Sequence, residues 1–159
     1  MPAFRCVPIE TETADRFRRT GRDDGGNTLR RVVVQAGGTY PCRHCLRLGV
    51  PGEEMLLGSY HLKRPKGIYW TPSPIFLHAD ACARFEVESE IAPIVRANPL
   101  VSVRAYDAQD QCLYELGQVC AGQDVDAPLE RALDDERTAF VSVHTARPGC
   151  MLAQVERVG

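Results

Sequence analysis

From Leu100 to Tyr106 polar and apolar positions alternate, with Val101 and Val103 on one face and Ser102 and Arg104 on the other. This two-residue period predicts a strand buried on one side. The Val32-Val33-Val34 run within Leu29 to Gln35 suits a more fully buried strand, and Ala139 to Val143 and Met151 to Val158 add two more. Met55 to Leu62 and Gly67 to Trp70 read as strands joined by the basic turn Lys63-Arg64-Pro65-Lys66. After the break at Thr71-Pro72-Ser73-Pro74, Ile75 to His78 is a short apolar strand. Asp107 to Asp110 would close a hairpin between the Leu100 to Tyr106 strand and Gln111 to Leu116.

One segment carries helix-start signals. Asp126-Ala127-Pro128 offers an N-cap, an early proline and acidic residues in the first turn. The Asp124-x-Asp126 pair is read as capping rather than metal binding, because no third ligand is spaced near it. Many short strands with few helices predict an α+β fold: a single domain over residues 1–159, mainly antiparallel β-sheet with one or two short helices. A doubly wound parallel sheet would need long helices between strands, and they are missing. Residues 1–31 read as an N-terminal lead-in, with a flexible polar loop at 21–27.

Composition narrows the class. With 44% hydrophobic and 25% charged residues, the chain has the make-up of an ordinary globular protein. No apolar stretch is long enough for a signal peptide or a membrane span, so a cytoplasmic protein without membrane association is expected. Residues 1–66 hold 12 Lys and Arg against 7 Asp and Glu, whereas residues 67–159 hold 7 against 14. The positive half includes Arg16, Arg18, Arg19, Arg22, Arg30 and Arg31. Asp15, Asp23 and Asp24 interrupt that run and no nucleic-acid motif accompanies it, so a nucleic-acid partner is not expected.

The chemistry lies in cysteine and histidine. Seven cysteines, an odd number, argue against a pure disulfide framework, and Cys6, Cys112 and Cys120 read as packing residues. Cys42-Arg43-His44-Cys45 is a CxxC with a histidine inside it. Gly49 and Pro51 leave barely one turn after it, which places it on a turn rather than at the start of a thioredoxin-type helix. His78, Cys82, His144 and Cys150 are the other members of the constellation.

In order along the chain, Pro41 to Leu46, Pro74 to His78 with Cys82, Arg104-Ala105-Tyr106, and Val143-His144 with Gly149-Cys150 resemble the family known as domain of unknown function 1203. The resemblance runs from about Val32 to Arg157, with departures at Ser73 and at Thr145 to Pro148. It implies one domain in which these segments belong together, and it brings no established activity.

Four readings of the constellation stand open. A metal site, with zinc the natural cofactor, would use Cys42, Cys45, His78 and Cys82 or draw on His144 and Cys150, while His44 would point away from the ion. Thiol redox chemistry at the CxxC would draw on Arg43 and His44 to favour a thiolate. An enzyme would pair a nucleophilic Cys82 or Cys150 with His78 or His144 as base on a small acidic or carbonyl substrate, with Arg104 and Arg147 binding the anion. In the fourth reading the residues only hold the fold together. The leading expectation is a thiol or metal binding site, with a small-molecule ligand as the expected partner.

Overall fold

The computed structural model describes residues 1–159. Its chain order is β1 (Phe4–Val7), α1 (Thr11–Thr20), β2 (Arg30–Val33), β3 (Glu54–His61), β4 (Pro72–His78), α2 (Pro93–Arg96), β5 (Val101–Tyr106), β6 (Gln118–Cys120), α3 (Asp126–Asp134), β7 (Phe140–Thr145) and β8 (Met151–Arg157). The strands form two antiparallel sheets, one ordered β1-β8-β7-β5-β6 and one ordered β2-β3-β4. The fold is α+β in one domain, as the short strands and scarce helices imply.

The larger sheet follows its patterning. Val101 and Val103 are buried while Ser102 and Arg104 are half-buried, and the central strand β7 is buried from Phe140 to His144. This sheet packs its apolar face against α2 and α3, in a core that includes Ile94, Val95, Val103, Leu129, Leu133, Val143 and Leu152. Leu129, Ala132 and Leu133 give α3 its buried stripe at helical spacing. Asp126 is not its N-cap. That position is Val125, with no side-chain cap, and the Asp126 carboxylate instead accepts from Arg96 Nη2 at 2.8 Å.

The smaller sheet differs from the expected pattern. Gly67–Tyr69 is a 3₁₀ turn rather than a strand, and β4 begins at Pro72, pairing His61 with Pro72 and Met55 with His78. The prolines are tolerated because β4 is an edge strand, where a missing N–H breaks no ladder. Likewise, Gln111 to Leu116 pairs with β5 only briefly, at Cys112, before a 3₁₀ turn leads into β6.

Residues 1–31 are part of the fold rather than a lead-in. β1 is an edge of the larger sheet, and α1 buries Thr13, Ala14 and Phe17. Gly21 ends α1 in the left-handed region at φ 66°, its N–H returning to Phe17 O at 2.9 Å. The 21–27 loop is held by the buried Asp23 carboxylate, which accepts from the backbone N–H groups of Gly25 (3.0 Å), Asn27 (2.8 Å) and Ser59 (2.7 Å). No helix is long and apolar enough to cross a membrane.

A second core joins α1, the smaller sheet and the CxxC turn through Phe17, Cys42, Cys45, Met55, Ile75, Leu77 and Met151. Met151 belongs to β8, so this core reaches the larger sheet. Ser73 Oγ accepts the Met151 N–H at 2.9 Å, which ties β4 to β8.

Candidate metal centre

The CxxC sits in a tight reversal. Cys42 N–H donates to Arg47 O (3.0 Å), Leu46 N–H to Cys42 O (3.0 Å) and Gly49 N–H to Tyr40 O (2.9 Å), and Leu46 takes a positive φ of 56° to close the turn. A side chain at Gly49 would press on Met55 Sδ and Val34 Cγ2 at 2.9 Å, so glycine lets the hairpin settle against β3. The turn directs both sulfurs to one side, where the end of β4 supplies His78 and the following loop supplies Cys82.

Cys42, Cys45, His78 and Cys82 thus converge, with one donor atom from each lying within 4.8 Å of all the others. Cys42 Sγ is 3.8 Å from Cys82 Sγ, and Cys45 Sγ is 3.5 Å from His78 Nδ1. This Cys₃His set is compatible with a bound metal. Cys42 and Cys45 are buried, His78 and Cys82 partly so.

The surroundings favour negative charge on sulfur. The His78 N–H approaches Cys42 Sγ at 3.5 Å, and the backbone amides of Cys45 and Arg47 also turn toward the Cys42 and Cys45 sulfurs. Of the three thiols, Cys42 is the one whose pKa is lowered. Its contact with Cys45, followed by that with Cys82, holds its pKa far below the ordinary thiol range. Those contacts, together with burial, push Cys45 and Cys82 up. Three sulfurs this close cannot all ionise unless a cation lies among them.

Around the four donors lies a ring of partners, of which the sequence marked only His44. His78 Nε2 is 3.4 Å from Glu53 Oε1. Arg18 Nη2 donates to Cys82 Sγ at 3.4 Å and its Nε to His78 O at 3.0 Å. His44 does not point away: its Nδ1 is 3.2 Å from Cys82 Sγ, and its Nε2 is 2.8 Å from Thr11 Oγ1. Its pKa is lowered, by burial first and then by the nearby Arg18 charge, whereas that of His78 is raised, chiefly by Cys42.

His144 and Cys150 lie elsewhere. His144 is buried in β7, with Nδ1 donating to Gly149 O at 2.9 Å and Nε2 meeting Ser142 Oγ at 2.8 Å. Both ring nitrogens are therefore occupied, leaving His144 no free nitrogen to serve Cys150 as a base. Burial, reinforced by Arg104, pushes its pKa down to about 4. Arg104 and Arg147 line separate clefts, Arg104 beside Cys112 and Arg147 beside Cys150. In the positive half, Arg16 pairs with Asp24, Arg18 with Asp15 and Arg31 with Glu54, which divides the basic run into local ion pairs.

No curated protein and no solved structure matches this chain. A family pattern does match, over residues 39–157, a stretch that contains all four converging donors. The chain belongs to the family described as Protein of unknown function (DUF1203).

Proposed function

We propose that this is a cytoplasmic zinc-binding protein whose Cys42, Cys45, His78 and Cys82 form a closed structural site. The observation that carries the reading is the spacing of the donors. A tetrahedral zinc with Zn–S near 2.3 Å and Zn–N near 2.05 Å sets two sulfurs about 3.8 Å apart and a sulfur and a nitrogen about 3.6 Å apart. Here the Cys42–Cys82 and Cys45–His78 separations are 3.8 and 3.5 Å. Soft thiolates with one imidazole suit zinc over harder cations.

The outer ring fits the same reading. Glu53 on the far nitrogen of His78 is the carboxylate–histidine arrangement that orients a metal ligand. Zinc with three thiolates carries a net charge of about −1, which Arg18 beside Cys82 offsets. Four protein donors leave no open position, so the role is structural: the ion ties the CxxC hairpin to β4 and to the loop beyond it. The seven cysteines are unpaired, which accords with a reducing compartment.

The test is titration of metal-free protein with cobalt(II). Tetrahedral thiolate coordination gives intense sulfur-to-cobalt charge transfer and visible ligand-field bands that saturate at about one ion per chain and disappear on adding zinc. No such spectrum at stoichiometric cobalt would refute the reading.

One observation favours a second reading. The 3.2 Å contact between Cys82 Sγ and His44 Nδ1 is within reach of a nucleophile–base pair. Neither residue lines any of the five main clefts. Rapid alkylation of Cys82 in metal-free protein at mildly acidic pH would favour this reading.

A further inference from the structure

On the surface beside the CxxC hairpin a cleft of about 270 Å³ opens between Thr39, Arg43 and Phe76 on one side and Leu100, Arg147 and Cys150 on the other. We propose that it binds a small organic carboxylate, with Arg43 and Arg147 holding the carboxylate group and the apolar walls holding its body.

The argument begins with Arg43. Only 3% of the residue is exposed, yet it forms no ion pair with any carboxylate. Its Nε donates to Met151 O at 2.7 Å and its Nη1 to Pro41 O at 2.6 Å, which fixes the guanidinium plane between the hairpin and β8. Nη2 takes no protein acceptor. A buried cation held by neutral carbonyls has no carboxylate beside it, only the thiols of Cys150 and Cys42, and in proteins such charges are normally paired.

The cleft is built to accept one. No Asp or Glu lines it, although the chain as a whole has a net charge of −2. Arg147, exposed on the β7–β8 turn, has neither an ion pair nor a hydrogen bond of its own and forms the second positive wall. Guanidinium groups match the geometry of carboxylate and phosphate oxygens. The rest of the lining decides between the two. Phe76 and Leu100, with proline rings beside them, offer an apolar surface that suits an organic body, while Thr39, Asn98 and Thr145 add uncharged polar groups but no third cation for the extra charge of a phosphate. The volume, just below the roughly 300–1,000 Å³ of typical ligand pockets, limits the ligand to a small one.

The test uses full-length protein with its metal content measured and held constant. Benzoate, the uncharged isostere benzamide and inorganic phosphate are titrated by calorimetry, and alkylation of Cys150 is followed by peptide mass spectrometry. Benzoate should bind and slow Cys150 labelling, benzamide should bind at least about tenfold more weakly, and phosphate should not compete. Arg147→Gln, an exposed change that leaves the fold and the bound metal in place, should weaken benzoate about tenfold. Arg43→Lys keeps the charge but loses the fixed plane, and should also weaken it. Equal binding of benzoate and benzamide, no benzoate binding tighter than about 10 mM, or tighter binding of phosphate would each overturn the assignment. Because metal content is read separately, loss of benzoate binding with the metal retained counts against this cleft alone.

Discussion

Cys42 Sγ and Cys82 Sγ lie 3.8 Å apart although forty residues separate them in the chain, and the loop bearing Cys82 has little regular structure to hold it there. A metal ion shared by the two would supply that restraint. Metal binding to the folded state alone, at a free concentration a thousand times the dissociation constant, stabilises by about 4 kcal/mol, which for a chain of this size moves the melting midpoint by about 10 °C. Adding a strong chelator should therefore lower the midpoint by about that amount, and re-adding zinc should restore it. Cys82→Ser should melt at the chelated midpoint with or without zinc.

Glu53 meets His78 on the nitrogen that faces away from the sulfurs. Its Oε1 also accepts the Val50 N–H at 2.7 Å, so Glu53→Gln keeps the shape of the turn while removing the charge. Loss of such an outer partner typically costs about 10–100-fold in metal affinity. Competition with a chromophoric zinc chelator should place this variant near the lower end of that range, with stoichiometry unchanged. An unchanged affinity would make Glu53 a turn residue only.

How much of this was legible varied with what each residue touches. The alternation of Val101 and Val103 with Ser102 and Arg104 announced β5 because one face of that strand is buried. α1 left almost no apolar signal: Ala14 and Phe17 meet the core, and Arg16, Arg18 and Arg19 make the rest of the helix resemble a charged loop. The prolines hid only the first part of β4, from Pro72 to Pro74, which an edge position permits, while Ile75 to His78 read as a strand from its apolar run. For the site, Cys42, Cys45, His78 and Cys82 could be named, but nothing in spacing separated them from His144 and Cys150. The difference arises because His144 and Cys150 belong to the β7–β8 hairpin of the larger sheet. Arg43 and His44 were visible inside the motif, but the expected direction of His44, away from the ion, was wrong because the turn brings its Nδ1 to Cys82, whereas Arg18 and Glu53 carried no signal because their roles exist only after folding.

His144 should make stability pH-dependent. Its folded pKa is pushed down to about 4 from an ordinary value near 6.5, so between those values the unfolded chain binds more protons than the folded one. Stability is full above about pH 6.5 and declines as pH falls toward 4, by at most about 3 kcal/mol from this residue. Urea midpoints measured across that window should show the decline. In His144→Gln, which retains a hydrogen-bonding amide, the slope should be shallower even though the variant starts less stable, and an identical slope would rule out His144 as its source.

Asp23 shows how a polar loop becomes a fixed part of the fold. Burial alone would raise its pKa, but the N–H groups of Ser59, Asn27 and Gly25, with the Asn27 amide, outweigh that and keep it lowered. The contact with Ser59 crosses to β3, so the carboxylate anchors the 21–27 loop to the smaller sheet. Asp23→Ala would leave several buried donors without an acceptor, at a cost of about 2–4 kcal/mol. The urea midpoint should drop accordingly, and amide hydrogens of Gly25, Asn27 and Ser59 should exchange faster than in the parent protein. The four residues of the candidate metal centre lie at the other end of β3, where Met55 pairs with His78, so cobalt stoichiometry should match that of the parent protein. Loss of cobalt binding in this variant would mean that the loop and the metal centre unfold as one unit, and the separate role given to Asp23 would fail.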